Sequence, residues 1–588
     1  VIVVAVPEGL PMMITLVLSS NMKRMLKNNV LVRKLVGIET AGSLNILFTD
    51  KTGTLTKGKL EVVSYISPNL KEFLNEAELS KYKKLYEYVK NYIIYNNECE
   101  YSENKYIGGN ITDKALLKFI KTDKEKKHKI LKEMPFDSKN KYSYVQVDIE
   151  GKKKFIKGAP EKIIESSTEY LDEFGIKRRF INKEKIKDEI KKYTKNGIRV
   201  LALSVDEHYE QKDGIDNSCF IGFALIKDEI KEEAVEGVKL VNNAGIQVVM
   251  ITGDNKDTAM EIARETNILK EDGLVLTSDE FNKLTDDEVK KILPRLNVLA
   301  RALPLDKSRL VKLSKELDLV VGMTGDGVND APALKQADVG FAMGSGTEVS
   351  KEASDIVILD DNLLSIAKAV LFGRTIFKSI RKFIIVQLSI NFCALSLSIL
   401  GPFVGIKTPV TVVQMLWINM VMDTLAGLAF AFEPPLLEYM KEKPKSKCES
   451  IINRYMASSI ISTSVYASIL CFIFLKLPYL RTIYQSNERL MTAFFGLFIF
   501  IDIFNSFNAR TSRINIFANI LKNKIFLGII IFIAVVQICM IYFGGEVFRT
   551  TGLTFYELQI MILIAATVIP IDWIRKYIYK KVYKTIGV

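Results

Sequence analysis

Asp50 closes an apolar run, Ile46-Leu47-Phe48, and opens the segment Asp50-Lys51-Thr52-Gly53-Thr54-Leu55-Thr56. A carboxylate at the C-terminal end of a strand is well placed to attack a phosphoryl group and become an acyl phosphate. Gly53 lets the backbone come close to the phosphate, and the hydroxyls of Thr52 and Thr54 can donate to its oxygens. Three later segments supply what such an aspartate needs. They are Thr252-Gly253-Asp254-Asn255 after Val248 to Ile251, Lys307 at the end of Ala300-Arg301-Ala302-Leu303-Pro304-Leu305-Asp306-Lys307, and Thr324-Gly325-Asp326-Gly327-Val328-Asn329-Asp330 after Leu319 to Met323. Phosphoryl transfer asks for charge neutralisation and alignment more than for covalent help. Mg²⁺ prefers hard oxygens, which makes Asp50 and Asp326 a natural pair of ligands, with Asp330 and Asn329 supporting the metal shell. Lys307 would hold the phosphate as a point charge and Thr252 would donate a hydroxyl. Any one of these segments alone is weak evidence, since an ordinary turn would read the same way. All four, in this order and each after a strand-like run, form a specific pattern.

That pattern resembles the haloacid-dehalogenase-like core of P-type ATPases, the ion pumps that form an aspartyl phosphate in each cycle. The resemblance implies catalytic roles for Asp50, Lys51, Thr52, Thr252, Gly253, Asp254, Lys307 and Asn329, and Mg²⁺ binding by Asp50, Thr52, Asp326 and Asp330.

The elements that must position these residues are legible more coarsely. Strand–helix alternation from Val36 to Lys57 resumes near Gly222 and runs to about Ala367, as in a doubly wound α/β domain split by an insertion. The fold class expected is therefore multidomain α/β plus an all-α membrane part. It comprises a Rossmannoid phosphorylation domain (28–57 and 222–367), an inserted α+β nucleotide-binding domain (58–221), a first membrane helix with its cytoplasmic exit (1–27), and six further membrane helices (368–588). Val1 to Leu18 is almost wholly apolar, and apolar segments recur near 383–404, 409–432, 454–478, 491–508, 525–543 and 556–574. Each is roughly long enough to cross ~30 Å of hydrocarbon. Lys and Arg crowd alternate ends of these segments, which puts the soluble block and the C-terminus in the cytoplasm. The 588 residues are too many for one domain, and 48% apolar with 25% charged residues fits separate membrane and aqueous parts. The net charge of +13 is better explained by cytoplasmic retention than by a nucleic-acid groove. Six cysteines without paired spacing and two histidines indicate neither a disulfide framework nor a zinc site.

Within the insertion the resemblance marks an ATP site. Phe136, in Pro135-Phe136-Asp137-Ser138, matches the ring that stacks on adenine, while Lys157 and Gly158 open the second adenine-pocket motif. Asp113 stands where the family usually has Glu, and Arg199 matches a phosphate-reaching arginine; Lys141 completes the nucleotide candidates. Ser138 stands where some relatives carry Arg. An aromatic face beside cations suits a nucleotide on physical grounds as well.

Carboxylates inside membrane spans are costly and mark function. Glu8 lies between Pro7 and Pro11, whose rings remove helix donors and free the carbonyls of Val3, Val4 and Val6. Asn419 and Asp423 are four residues apart on one helix face. Together they make an all-oxygen cage suited to Ca²⁺, with Asn391 and Asp502 as further candidates. A cysteine motif in place of Glu8, as in soft-metal pumps, is absent, which disfavours Cu⁺ and Zn²⁺. Pro7-Glu8-Gly9-Leu10-Pro11 and Met422-Asp423-Thr424-Leu425-Ala426 are similar to plasma-membrane-type calcium pumps. Ala394 and Met422 replace the extra ligands of the two-ion type, implying one ion per cycle. Mn²⁺ or another cation is the alternative cargo, and a membrane-anchored phosphatase is the alternative class. The resemblance also implies an actuator domain and three membrane helices N-terminal to Val1, partners in cis beside the lipid bilayer.

Overall fold

The structure, a computed structural model, describes residues 9–102, 105–120, 128–137, 140–149, 151–195, 197–207, 214–405, 410–445, 447 and 449–583. Val3, Val4, Val6, Glu8 and Ser138 lie outside the described residues.

Short, continuously apolar strands are buried on both faces, as a parallel sheet requires. Ile46–Asp50 sits at the centre of an eight-stranded sheet, with Gln247–Ile251 on one side and Val321–Gly325 on the other. Leu296–Ala300 and Leu274–Thr277 continue one flank; Val339–Met343 and Ile356–Ile358 continue the other. All of these run parallel, and only the edge strand Val30–Val32 is antiparallel. The register pairs Asp50 with Ile251 and Phe48 with Met323. The turns after three neighbouring strands therefore open at the same edge of the sheet, where ligands bind in such folds.

A second, nine-stranded sheet is built on two long strands, Thr56–Ile66 and Ser218–Ile230, which pair antiparallel. The division expected at 221/222 falls inside the second of these strands. The reason is physical: the chain leaves the eight-stranded sheet through one strand and returns through its partner, so the pair belongs to the insertion until Ile230. The rest of this sheet comprises Arg199–Asp206, Lys152–Gly158, Tyr142–Asp148 and Ile130–Asp137 on one side, Ser167–Leu171 with Lys177–Arg179 on the other, and the short Glu72–Phe73 against Thr56–Ile66.

Six helices among the described residues are long and apolar enough to cross a membrane: Leu363–Leu400, Val412–Ala431, Arg454–Lys476, Asn487–Arg510, Lys524–Phe543 and Phe555–Tyr583. The helix Gly9–Leu26 packs against the first two of them. The first span is 38 residues long, about 57 Å at 1.5 Å per residue, and so nearly twice the ~30 Å of a hydrocarbon core. The division expected at 367/368 therefore falls inside one continuous helix. Its aqueous end is keyed into the catalytic domain. The Arg374 guanidinium donates to the carbonyls of Gly42 (3.2 Å), Ala244 (2.8 Å), Tyr439 (2.8 Å) and Glu442 (2.7 Å). Beside it Gly373 meets Gly42 backbone to backbone: a Cβ on Gly373 would lie 2.5 Å from the Gly42 nitrogen.

Candidate active site and ion path

Asp50 is held from three directions. Its backbone N–H donates to the buried Thr324 hydroxyl at 3.0 Å, and its Oδ1 accepts from the Lys51 backbone N–H at 2.6 Å. Its Oδ2 accepts from the Lys307 ammonium at 2.9 Å. Lys307 comes from the first turn of the helix Pro304–Glu316 and also donates to Asp330 Oδ1 at 2.6 Å. Asp330 in turn accepts from the N–H groups of Gly327 (3.1 Å) and Asp326 (3.3 Å). Gly325 is required here, because a Cβ would lie 2.4 Å from that of Asp330. Carboxylate oxygens of Asp50, Asp326 and Asp330 converge within 4.8 Å of one another.

The electrostatics follow from that convergence. Burial pushes the Asp326 carboxyl above its ordinary value, and the charges of Asp50 and Asp330 push it further in the same direction. Burial works to lower the Lys307 ammonium, but the attraction and hydrogen bonds of Asp50 and Asp330 outweigh it and leave it raised. Three carboxylates facing one lysine thus keep an excess of negative charge that a hard divalent cation would relieve. The donor set, all oxygen, fits Mg²⁺.

The other residues expected here are arranged around this core. Thr252, buried, follows the neighbouring strand and its hydroxyl accepts from the Asp254 N–H at 3.2 Å. Gly253 faces open space. The Lys51 ammonium does not turn towards Asp50; it pairs with Asp254 at 2.9 Å and approaches Asp228 at 3.7 Å. Thr52 and Asn329 are exposed at the rim.

Between the two sheets lies a cleft of about 360 Å³, lined by Lys51, Arg199, Asp254, Asn255, Thr258 and Glu261 among others. The nucleotide candidates are split. Arg199 reaches this cleft and lies 3.5 Å from the Thr112 hydroxyl, while Phe136 presents an exposed ring on the edge strand Ile130–Asp137. Lys157 is not free: its ammonium is buried against Asp113 Oδ1 (2.5 Å) and the Asn96 carbonyl (2.7 Å). Lys141 is exposed and faces Glu161 at 3.4 Å. Gly158 packs under the Lys141 carbonyl, which a Cβ would approach to 2.6 Å.

In the membrane region Asn419 and Asp423 are both buried, and the helix between them is distorted into a π turn over Ile418–Met422. Such turns loosen the regular ladder and recur at functional sites. Asp423 Oδ2 accepts from the Gln387 amide at 3.0 Å. Asp502, on Asn487–Arg510, is also buried. The side-chain amides of Asn391 and Asn419, and one oxygen of Asp502, are buried without a hydrogen-bond partner among the described residues.

Three residues in this machinery escaped the sequence reading as individual side chains. Thr324 was visible only as part of its motif. Gln387 and Lys231 carry no local signal at all; the Lys231 ammonium donates to the carbonyls of Gly53 (2.6 Å) and Asp361 (2.7 Å).

Three family models match the chain: "Cation transporting ATPase, C-terminus" over residues 407–578, "P-type ATPase, cytoplasmic domain N" over 84–233, and "haloacid dehalogenase-like hydrolase" over 311–370. Among curated proteins, the plasma membrane-type calcium-transporting ATPase 10 of Oryza sativa subsp. japonica is 37% identical, over 98% of this chain and 60% of that protein. The calcium-transporting ATPase PAT1 of Dictyostelium discoideum is 36% identical, over 98% and 57%. The putative plasma membrane-type calcium-transporting ATPase 13 of Arabidopsis thaliana is 35% identical, over 98% and 59%. The chain thus spans up to 60% of the length of these relatives.

Proposed function

Since the chain belongs to the P-type ATPase family, we propose that it carries the phosphorylation, nucleotide-binding and ion-binding parts of an ATP-driven pump that exports Ca²⁺ from the cytoplasm. The observation that carries this reading is the Lys307 ammonium, shared between Asp50 at 2.9 Å and Asp330 at 2.6 Å beside Asp326. Asp50 is the nucleophile: its carboxylate oxygen attacks the γ-phosphorus of ATP, the bond to the β–γ bridging oxygen breaks, and ADP leaves. Lys307 and the Thr252 hydroxyl hold the equatorial oxygens, where charge spreads in the transition state. Thr324 fixes the Asp50 backbone so that the carboxylate meets the phosphorus in line. Mg²⁺, held by Asp50, Asp326 and Asp330 with Thr52 at the rim, would supply charge neutralisation.

ATP is held by the inserted domain, with Phe136 as the stacking face and Arg199 reaching towards the phosphates. Lys157 acts there as a buried partner of Asp113 that shapes the pocket. The transported ion is held by Asn419 and Asp423, together with Glu8 and the carbonyls of Val3, Val4 and Val6. Ala394 and Met422 cannot ligate a hard cation, which supports one ion per cycle. Ion binding strains the long helix Leu363–Leu400, whose other end is keyed to the catalytic domain through Arg374. The pump works in the cell membrane, a placement that its relatives' plasma membrane-type names support, with the soluble domains on the cytoplasmic side, which the Lys and Arg alternation and the match to a cytoplasmic domain support.

The test is acid-stable labelling of the full-length protein from γ-labelled ATP, with Ca²⁺, Mn²⁺ or neither, beside Asp50→Asn. Label that requires Asp50 and appears at micromolar Ca²⁺ is expected. Label that follows Mn²⁺ alone would keep the pump and change its cargo, and label independent of Asp50 would end the reading.

A further inference from the structure

Gln387 lies on the long helix one turn before Asn391, on the same face. It is almost fully buried, and its two amide atoms are used differently. Nε2 donates to Asp423 Oδ2 at 3.0 Å, while Oε1 is buried without a hydrogen-bond partner among the described residues. A polar atom buried among membrane helices is expected to be satisfied, because no water of the bilayer core can do so. The unpaired Oε1 is accompanied by the unpaired amide oxygens of Asn391 and Asn419. These are neutral, hard donors, the kind that complete a carboxylate's shell around a divalent cation.

We propose that Gln387 is a specificity-determining residue of the ion site: its N–H fixes one oxygen of Asp423, and its own carbonyl oxygen is a ligand to the transported cation. The inference rests on the cation-pump reading above and extends it by one turn along the helix that carries the Asn391 candidate. One amide thus sets the orientation of the only carboxylate contributed by the π-turn helix. It also brings into the site the helix that is keyed to the catalytic domain at Arg374. From Arg374 to Gln387 is 13 residues of unbroken helix, about 20 Å. A ligand on that helix lets an occupied site pull directly on the element that meets Gly42.

Two readouts test this in the full-length protein: binding of radioactive Ca²⁺ at equilibrium without ATP, and the Ca²⁺ dependence of Asp50 labelling. Binding of a fluorescent ATP analogue reports whether each variant is folded. Gln387→Leu removes donor and ligand together and is expected to raise the half-saturating Ca²⁺ concentration at least about tenfold in both assays. Gln387→Glu keeps the ligand oxygen and adds an ionisable group beside Asp423. Its Ca²⁺ affinity is expected to rise more steeply with pH than that of the wild type, because two adjacent carboxylates resist ionising together until a cation binds. A structural tie alone would weaken Ca²⁺ binding in Gln387→Glu as much as in Gln387→Leu even where the new carboxylate is ionised, which overturns the proposal. An unchanged half-saturating concentration in Gln387→Leu overturns it as well. If the wild type neither binds Ca²⁺ nor labels in response to it, the pump reading fails first and this inference falls with it.

Discussion

Asp326 is the residue at which the chemistry of the site can be read through pH. Its carboxyl is raised by burial first and then by the Asp50 and Asp330 charges. A raised acid binds its proton more tightly in the fold than in the unfolded chain. Its ionisation therefore costs stability as pH climbs from the ordinary carboxylate range through the raised value. A divalent cation reverses that cost by favouring the ionised form. Added Mg²⁺ is therefore expected to raise the thermal midpoint more at pH 7 than at pH 5; at about 100 times its Kd at a given pH the whole gain there is about 2.7 kcal/mol of stability. In Asp326→Asn the pH dependence of that gain should shrink; equal gains at both pH values in the wild type would count against a metal at this cluster. Asp50, Asp326, Asp330 and Lys307 were legible because each follows a strand within a short motif, and the parallel register brings those strand ends together. Thr324 as a support for Asp50 was hidden, since its partner is 274 residues away. Gln387 was hidden for the same reason, its partner being 36 residues on in another helix. An isolated glutamine in an apolar helix has no sequence context that names its partner.

At the scale of elements, the long helix and the short helix Leu35–Gly42 are fitted together through their glycines. Gly373 and Gly42 let two backbones touch, and Arg374 then ties the crossing to four carbonyls. A Cβ on Gly373 would lie 2.4 Å from the Ile38 carbonyl oxygen, so the helices must move apart. Gly373→Ala is expected to cost about 1–3 kcal/mol of stability, as overpacking does. It should also weaken the Ca²⁺ dependence of labelling while nucleotide binding persists, since the nucleotide sheet is remote from the crossing. Calorimetry and labelling measure the two effects separately, and a stable variant with wild-type Ca²⁺ dependence would show that the crossing does not transmit. The membrane helices were readable from apolar length, but the aqueous extension of the first was not. Its Lys and Arg residues look like a span's flank in sequence, whereas in the fold Arg374, Lys378 and Arg381 are buried against other parts of the chain.

Across the whole molecule, the nucleotide sheet, the catalytic turn and the long helix meet at Lys231. This residue follows the return strand Ser218–Ile230, and its N–H donates to the Leu55 carbonyl at 3.0 Å. Its ammonium donates to Gly53, in the turn that carries Asp50, and to Asp361, just before the long helix begins. One residue, through its backbone and its side chain, therefore joins three parts that must move in concert if ion binding is to control phosphorylation. None of its contacts involves a nucleotide candidate or an ion ligand, so the two binding steps should survive its loss. Lys231→Met is expected to leave ATP and Ca²⁺ binding within about twofold of wild type but to slow Asp50 labelling about fivefold or more, the usual range of an intersite coupling. Lys231→Arg, which can still donate to both carbonyls, should recover part of the rate. A parallel loss of ATP binding in Lys231→Met would mean that the residue holds the nucleotide sheet rather than linking it. An unchanged labelling rate would show that the coupling runs through the Arg374 crossing alone.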